Sequence, residues 1–194
     1  VPVFPSPVIG MMGSLEERRK LMTLDMKEKG DLIYLLGETS DDINASHYLN
    51  YWHGIERSPA PFFDLEKEVE LQHVLRDMID QEAIRSAHDV SDGGLYVSLV
   101  EKAIPRGFGF DIESDGEVRK DAFLFGEGQG RVLLTVSPGA DEGATRIAEE
   151  AGVPLTLLGH VTRGKLMVDG EHFGFIRDAE ALYEKAIPRL MEEV

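Results

Sequence analysis

The sequence predicts an α/β (α+β) fold, a mixed β-sheet flanked by helices. Three observations carry this. Apolar runs of strand length, such as LIYLL and VLLTV, interleave with segments of helical periodicity. Gly, Pro, Ser and Asp punctuate the boundaries between them. The chain has 194 residues and is 42% hydrophobic, enough for a substantial core.

PSP at 5–7 reads as extended, and VIGMMG at 8–13 as a short strand. DLIYLLG at 31–37 is a buried strand ending at a glycine. Ser40, Asp41 and Asp42 offer caps for a helix through about Tyr51. ERSPAP at 56–61 is a turn or linker. Asp64 caps the next helix, whose apolar face is Leu65, Val69, Leu71, Val74, Leu75, Met78 and Ile79. A helix follows Gly94, with Leu95, Leu99, Val100, Ala103 and Ile104 on one face. Strands follow at 107–112 and 131–136, the second stopped by Ser137, Pro138 and Gly139. Residues 141–151 are helical, with Ala144, Ile147 and Ala148 inward. A pair of strands at 155–161 and 165–168 flanks a turn at 162–164. A last helix starts near Asp178, and Pro188 kinks or shortens it. Residues 1–60 read as an arm and strand-helix segment packing on a main sheet domain at 61–194.

Composition narrows the function. The net charge of −16 argues against nucleic acid as a primary partner, because phosphate backbones need clustered Lys and Arg. No apolar run is long enough for a membrane span. The N-terminal residues lack a basic region and a long apolar stretch, so they do not read as a signal peptide. The chain opens on valine in strand-like sequence, which points to a piece of a longer polypeptide. It has no cysteine, which excludes disulfides and thiolate chemistry and fits a reducing cytoplasm. No phosphate-binding GxxxxGK[ST] loop and no GxSxG elbow is present.

The chemistry concentrates in SAHDVSDGGL at 86–95. His88, Asp89, Ser91, Asp92, Gly93 and Gly94 stand directly before a helix. Ser91 or Asp92 can cap it. Backbone at the glycines can approach a ligand, and the helix N-terminus favours negative charge. The two acids repel a bare phosphate, so Mg²⁺ between them would make a phosphate favourable. The same residues also make an ordinary loop-to-helix turn. A second cluster, EGQGR at 127–131, precedes a strand. Glu127 is an acceptor, Gln129 a two-way amide, and Arg131 a possible anion clamp. If the two clusters meet in space they form one site. Of the six histidines only His88 lies beside such groups, and His47, His53, His73, His160 and His172 read as surface or packing residues. Tyr51 and Trp52 read as a helix-end core contact, with a partner surface as the alternative.

SAHDVSDGGLYVSLVEKAI at 86–104 closely resembles the loop-helix of the C-terminal domain of aminoimidazole ribonucleotide synthetase-like proteins. More narrowly, it is similar to the last such domain of the phosphoribosylformylglycinamidine synthase family, subunit II type. PSPVIGMMG at 5–13 and LFGEGQGR at 124–131 agree with that family's PTPVIGxxG link and LFxESQxR segment. The resemblance covers nearly the whole chain.

The resemblance implies a reaction. ATP and glutamine-derived ammonia convert formylglycinamide ribonucleotide to formylglycinamidine ribonucleotide in purine biosynthesis. ATP activates the amide oxygen as an iminophosphate, and ammonia displaces the phosphate. It implies partners as well: N-terminal-type domains carrying the catalytic histidines, most Mg²⁺ ligands and much of the ATP site, together with a glutaminase. By the same resemblance Asp89 is a Mg²⁺ ligand, and His88 stands where the sister domain has glutamine. Glu127 and Gln129 fall on a substrate-binding E-S-Q triplet in which Gly128 replaces serine. The fragment alone is expected to be inactive, and its exposed face can pair with a second copy. Two alternatives are a purely structural pseudo-symmetric domain and a domain of another ATP-dependent member of the superfamily. Asp89→Asn and Gly94→Ala are expected to lower activity of the intact enzyme, with little loss of stability, only if the loop meets a ligand.

Overall fold

The computed structural model describes residues 8–192. Its strands are β1 (Leu32–Leu36), β2 (Ser86–Asp89), β3 (Gly109–Ile112), β4 (Val132–Val136), β5 (Leu155–Thr162), β6 (Lys165–Val168) and β7 (Glu171–Phe175). The helices are α1 (Leu65–Asp80), α2 (Gly94–Ala103), α3 (Lys120–Phe125), α4 (Asp141–Ala151) and α5 (Ile176–Glu192). The strands form one sheet in the order β2-β4-β1-β5-β3-β6-β7. Each neighbouring pair is antiparallel except β3 and β6, so the sheet is mixed.

Strand alternation divides the core into two layers. Ile33 and Leu35 of β1 and Leu133 of β4 join Leu95 and Leu99 of α2 and Phe123 of α3 on one face. Tyr34 and Leu36 of β1 and Leu134 and Val136 of β4 point the other way, against Leu71 and Met78 of α1 and Ala144 and Ala148 of α4. The sheet is therefore covered by α2, α3 and α5 on one side, and its β2-β4-β1 half by α1 and α4 on the other. The 1–60 segment contributes β1, which lies inside the sheet between β4 and β5.

Fully buried Lys102 of α2 sits in the first layer. Its Nζ donates to the Leu24 carbonyl and to Ser86 Oγ, both at 2.9 Å, and Ser86 Oγ lies 2.6 Å from Thr135 Oγ1. The Lys102 carbonyl accepts the Met26 N–H. These bonds tie the segment before β1 to α2, β2 and β4. Burial, reinforced by nearby Lys27 and opposed by Asp25, holds the Lys102 ammonium down at about 7.

Several sequence expectations are corrected. Residues 8–13 form no strand, and residues 5–7 lie outside the described part. No α-helix spans 43–51. Asp42 instead accepts the Asn44 N–H at 2.9 Å and the Phe62 N–H at 3.2 Å, which folds the segment back, and one π-helical turn follows at Tyr48–Trp52. Asp64 caps α1 as expected, accepting from Glu66 and Lys67, but Leu65 and Val69 are exposed. The short α3 and the edge strand β7 are additional elements. The strands β5 and β6 are not neighbours, because β3 lies between them. The last helix begins at Ile176 and continues through Pro188 in exposed turns, where water can serve the carbonyl left without a partner.

Candidate functional site

Pairing of β2 with β4 builds the site. The register sets His88 opposite Leu133 and Asp89 opposite Val132. The chain leaving β2 therefore runs beside the chain entering β4. The Val90 N–H donates to the Arg131 carbonyl at 2.9 Å, and the Gly93 N–H donates to Glu127 Oε1 at 2.9 Å. The two sequence clusters, more than thirty residues apart, thus form one site.

His88 and Asp89 belong to β2 itself rather than to a loop. Neither Ser91 nor Asp92 caps α2 with its side chain; its N-cap is Gly93, at φ +83°. The Ser91 carbonyl accepts the Gly94 N–H at 2.9 Å, and the Glu127 carboxylate serves the Gly93 N–H from outside the helix. The corner is tight. Gly94 has φ +74°, and a Cβ there would lie 2.7 Å from the Phe125 backbone and 2.8 Å from the Gly126 carbonyl oxygen. Only glycine lets α2 approach the end of α3 so closely.

A cleft of about 430 Å³ opens beside this corner, lined among others by Asp89, Ser91, Asp92, Glu127 and Gln129. A neighbouring cleft of about 240 Å³ lies between the end of β1 and the start of α1, with Phe62 and Phe63 in its wall. Gln129 borders both. Arg131 does not reach out as an anion clamp. It is buried, and it donates from Nη2 to the Gly126 carbonyl at 2.6 Å and from Nε to the Gly128 carbonyl at 3.1 Å. Burial pulls its guanidinium down to about 10, which leaves it charged at neutral pH. His88 is also engaged elsewhere: Nε2 lies 2.9 Å from Glu101 Oε2, and Nδ1 lies 3.2 Å from Asp89 Oδ1.

His47 is the residue the sequence did not single out. Tyr48 stacks on Phe125 with ring centroids 5.2 Å apart, which docks the π-helical turn on α3. That docking brings the His47 N–H to Glu127 Oε1 at 2.7 Å. No motif surrounds His47, so only this aromatic contact reveals its place. Tyr51 and Trp52 are 80% and 78% exposed, so they are not a core contact.

With Asp89, Asp92, Glu127 and Glu68 around the cleft and Arg131 turned inward, the site favours a cation, or an anion bridged by one.

The family model for the AIR synthase related protein, C-terminal domain, matches residues 28–169. The chain belongs to this family. Phosphoribosylformylglycinamidine synthase subunit PurL of Caldanaerobacter subterraneus subsp. tengcongensis is 40% identical over 167 residues, covering 86% of this chain and 23% of that protein. The chain thus spans about a quarter of the length of the curated relatives it matches. Among solved structures, T. maritima PurL complexed with FGAR superposes with a TM-score of 0.71 at 14% identity, covering 84% of this chain and 30% of that one. T. maritima PurL complexed with ATP gives 0.67 at the same identity, covering 84% and 28%. At that identity these two establish a shared fold. Within the family fold, the β2–α2 corner and the segment entering β4 are where this chain gathers the polar residues of the cleft.

Proposed function

We propose that this chain is the last C-terminal-type domain of a phosphoribosylformylglycinamidine synthase, acting in de novo purine biosynthesis. The carrying observation is the 40% identity to a PurL subunit across 86% of the chain. The reaction of the whole enzyme joins formylglycinamide ribonucleotide, ATP and glutamine-derived ammonia. The chain alone is inactive in this reading, because N-terminal-type domains and a glutaminase complete the enzyme in the cytoplasm.

The domain's part is to present the cleft bounded by residues 89–93 and 127–131 to a phosphorylated ligand. Asp89 would hold Mg²⁺, its carboxylate being well exposed at the cleft while its backbone is fixed in β2. Bound there, Mg²⁺ neutralises phosphate charge against the surrounding acids. Ser91 offers a hydroxyl, and Gln129 an amide that can both donate and accept. Gly93 and Gly94 let the backbone come close. Glu127 holds the corner through Gly93 and His47. His88 braces Asp89 from behind and does not reach for the ligand. Whether the bound nucleotide is consumed or retained is decided by the domain facing the cleft.

A second reading has its own support. Arg131 and His88 are spent on internal bonds, as in a domain that only holds two pseudo-symmetric halves together. Asp89→Asn in the full-length subunit separates the two. A fall in kcat/KM of roughly tenfold or more, at unchanged melting temperature, supports the ligand-facing role. Full activity leaves the structural reading.

A further inference from the structure

Among the described residues, one group of three side chains of metal-ligating type converges: His47, Asp92 and Glu127, with their ligand atoms all within 4.8 Å of one another. We propose that these three form a binding site for one divalent transition-metal ion. Asp89, the residue read as the Mg²⁺ ligand, is not one of them, so this inference does not depend on the reading above.

Three observations support it. First, the donors come from three separate segments held by independent contacts. The turn that follows His47 is docked by the Tyr48–Phe125 stack, Asp92 precedes the glycine corner of α2, and Glu127 follows α3. Second, Glu127 is already oriented. Its Oε1 accepts the N–H groups of Gly93 and His47 at 2.9 and 2.7 Å, which fixes the carboxylate while Oε2 makes no hydrogen bond or ion pair among the described residues. His47 Nδ1 lies 3.7 Å from Oε1, so a small movement of the exposed imidazole closes a shared coordination sphere. Third, the charge is uncompensated. No lysine or arginine of the described residues comes within 4.0 Å of either carboxylate. Arg131, the nearby buried cation, is turned to the Gly126 and Gly128 carbonyls.

The donor set selects the ion. Two carboxylates and a neutral imidazole balance a 2+ charge. The imidazole nitrogen favours Mn²⁺, Fe²⁺, Co²⁺ or Zn²⁺ over Mg²⁺ and Ca²⁺, which prefer oxygen. Asp92 and Glu127 line the cleft, so positions beyond the three protein ligands face a space large enough for water or a ligand oxygen.

The test is titration of the chelator-treated full chain with Co²⁺, followed by its visible absorption, with Zn²⁺ and Mg²⁺ as competitors. His47→Ala and Asp92→Asn are compared with His172→Ala, an exposed histidine elsewhere. Far-UV circular dichroism checks that each variant is folded, and His47→Gln and Asp92→Ser replace any that is not. The expected result is one saturable Co²⁺ site per chain, displaced by Zn²⁺ but not by excess Mg²⁺. His47→Ala and Asp92→Asn should each weaken it by roughly tenfold or more, and His172→Ala should leave it unchanged. No saturable binding, displacement by Mg²⁺ as readily as by Zn²⁺, or unaltered affinity in either His47→Ala or Asp92→Asn overturns the proposal. The readout is metal binding, so inactivity of the chain as an enzyme does not affect it.

Discussion

The backbone N–H of Gly93 and the carboxylate of Glu127, 34 residues apart in sequence, are joined by a 2.9 Å hydrogen bond that closes the corner between α2 and the segment entering β4. The same carboxylate oxygen accepts the His47 N–H, so one side chain gathers three segments.

Glu127→Ala removes a side-chain acceptor from two backbone donors at a largely enclosed position. The expected loss is about 2 kcal/mol of unfolding free energy, read from urea denaturation. Glu127→Gln keeps one oxygen in place and should lose less than half of that.

Lys102 makes stability depend on pH. Its folded-state value of about 7 lies below the ordinary 10.5. Below pH 7 both folded and unfolded chains carry the proton, and the buried charge is a constant cost. Between pH 7 and 10.5 the unfolded chain binds more protons, so this residue makes stability rise with pH, by up to about 1.4 kcal/mol per unit. Above 10.5 the contribution is flat and the cost is gone. Denaturation of the parent chain and of Lys102→Met at a series of pH values checks this. The difference between the two curves should change across that window, and a constant difference would remove the argument.

Gly94 and Gly128 should respond very differently. Gly94→Ala forces a Cβ into the Phe125–Gly126 backbone at positive φ and should destabilise by about 2–4 kcal/mol. It therefore cannot serve as a clean probe of ligand contact, contrary to what the sequence suggested. A Cβ at Gly128 meets only Ser40 Oγ, at 3.9 Å. Gly128→Ser should fall within about 0.5 kcal/mol of the parent in thermal or chemical melts and place a hydroxyl at the smaller cleft between β1 and α1.

Arg131→Met deletes two donors from carbonyls beside a buried position. The expected loss is about 3 kcal/mol, with faster amide hydrogen exchange in the 126–131 segment than in β1. Protection of that segment equal to the parent's would show that the loop does not rely on Arg131.

Much of the fold was legible because its long elements have clean periods. VLLTV and LIYLL are apolar runs of strand length stopped by Ser, Pro or Gly, and the 141–151 pattern has helical spacing with Ala144 and Ile147 inward. The short α3 was not, because six residues give less than two full turns of period. β7 was hidden by its glycine and by its exposed residues at the sheet edge. The failed helix at 43–51 has a local cause: Asp42 is a good cap, but it spends its carboxylate on Asn44 and Phe62. The site divides in the same way. The motifs at 86–94 and 127–131 stood out, yet their meeting depends on β2–β4 pairing, which no local pattern states. His47 carries no signature, and Arg131 turns inward only because carbonyls at 126 and 128 wait for it.

The strand order has a consequence for how the chain reaches this shape. β1 pairs with β4, a hundred residues later, and with β5 beyond it. Among the described residues, only β6 and β7 form a hairpin between consecutive strands. With so few local pairings, folding must wait for distant segments to meet, which places this domain among slow folders. On the ribosome the uncharged LIYLL segment emerges before β4 and β5 and stays without these partners until they have been made, a period in which shielding by a chaperone matters most.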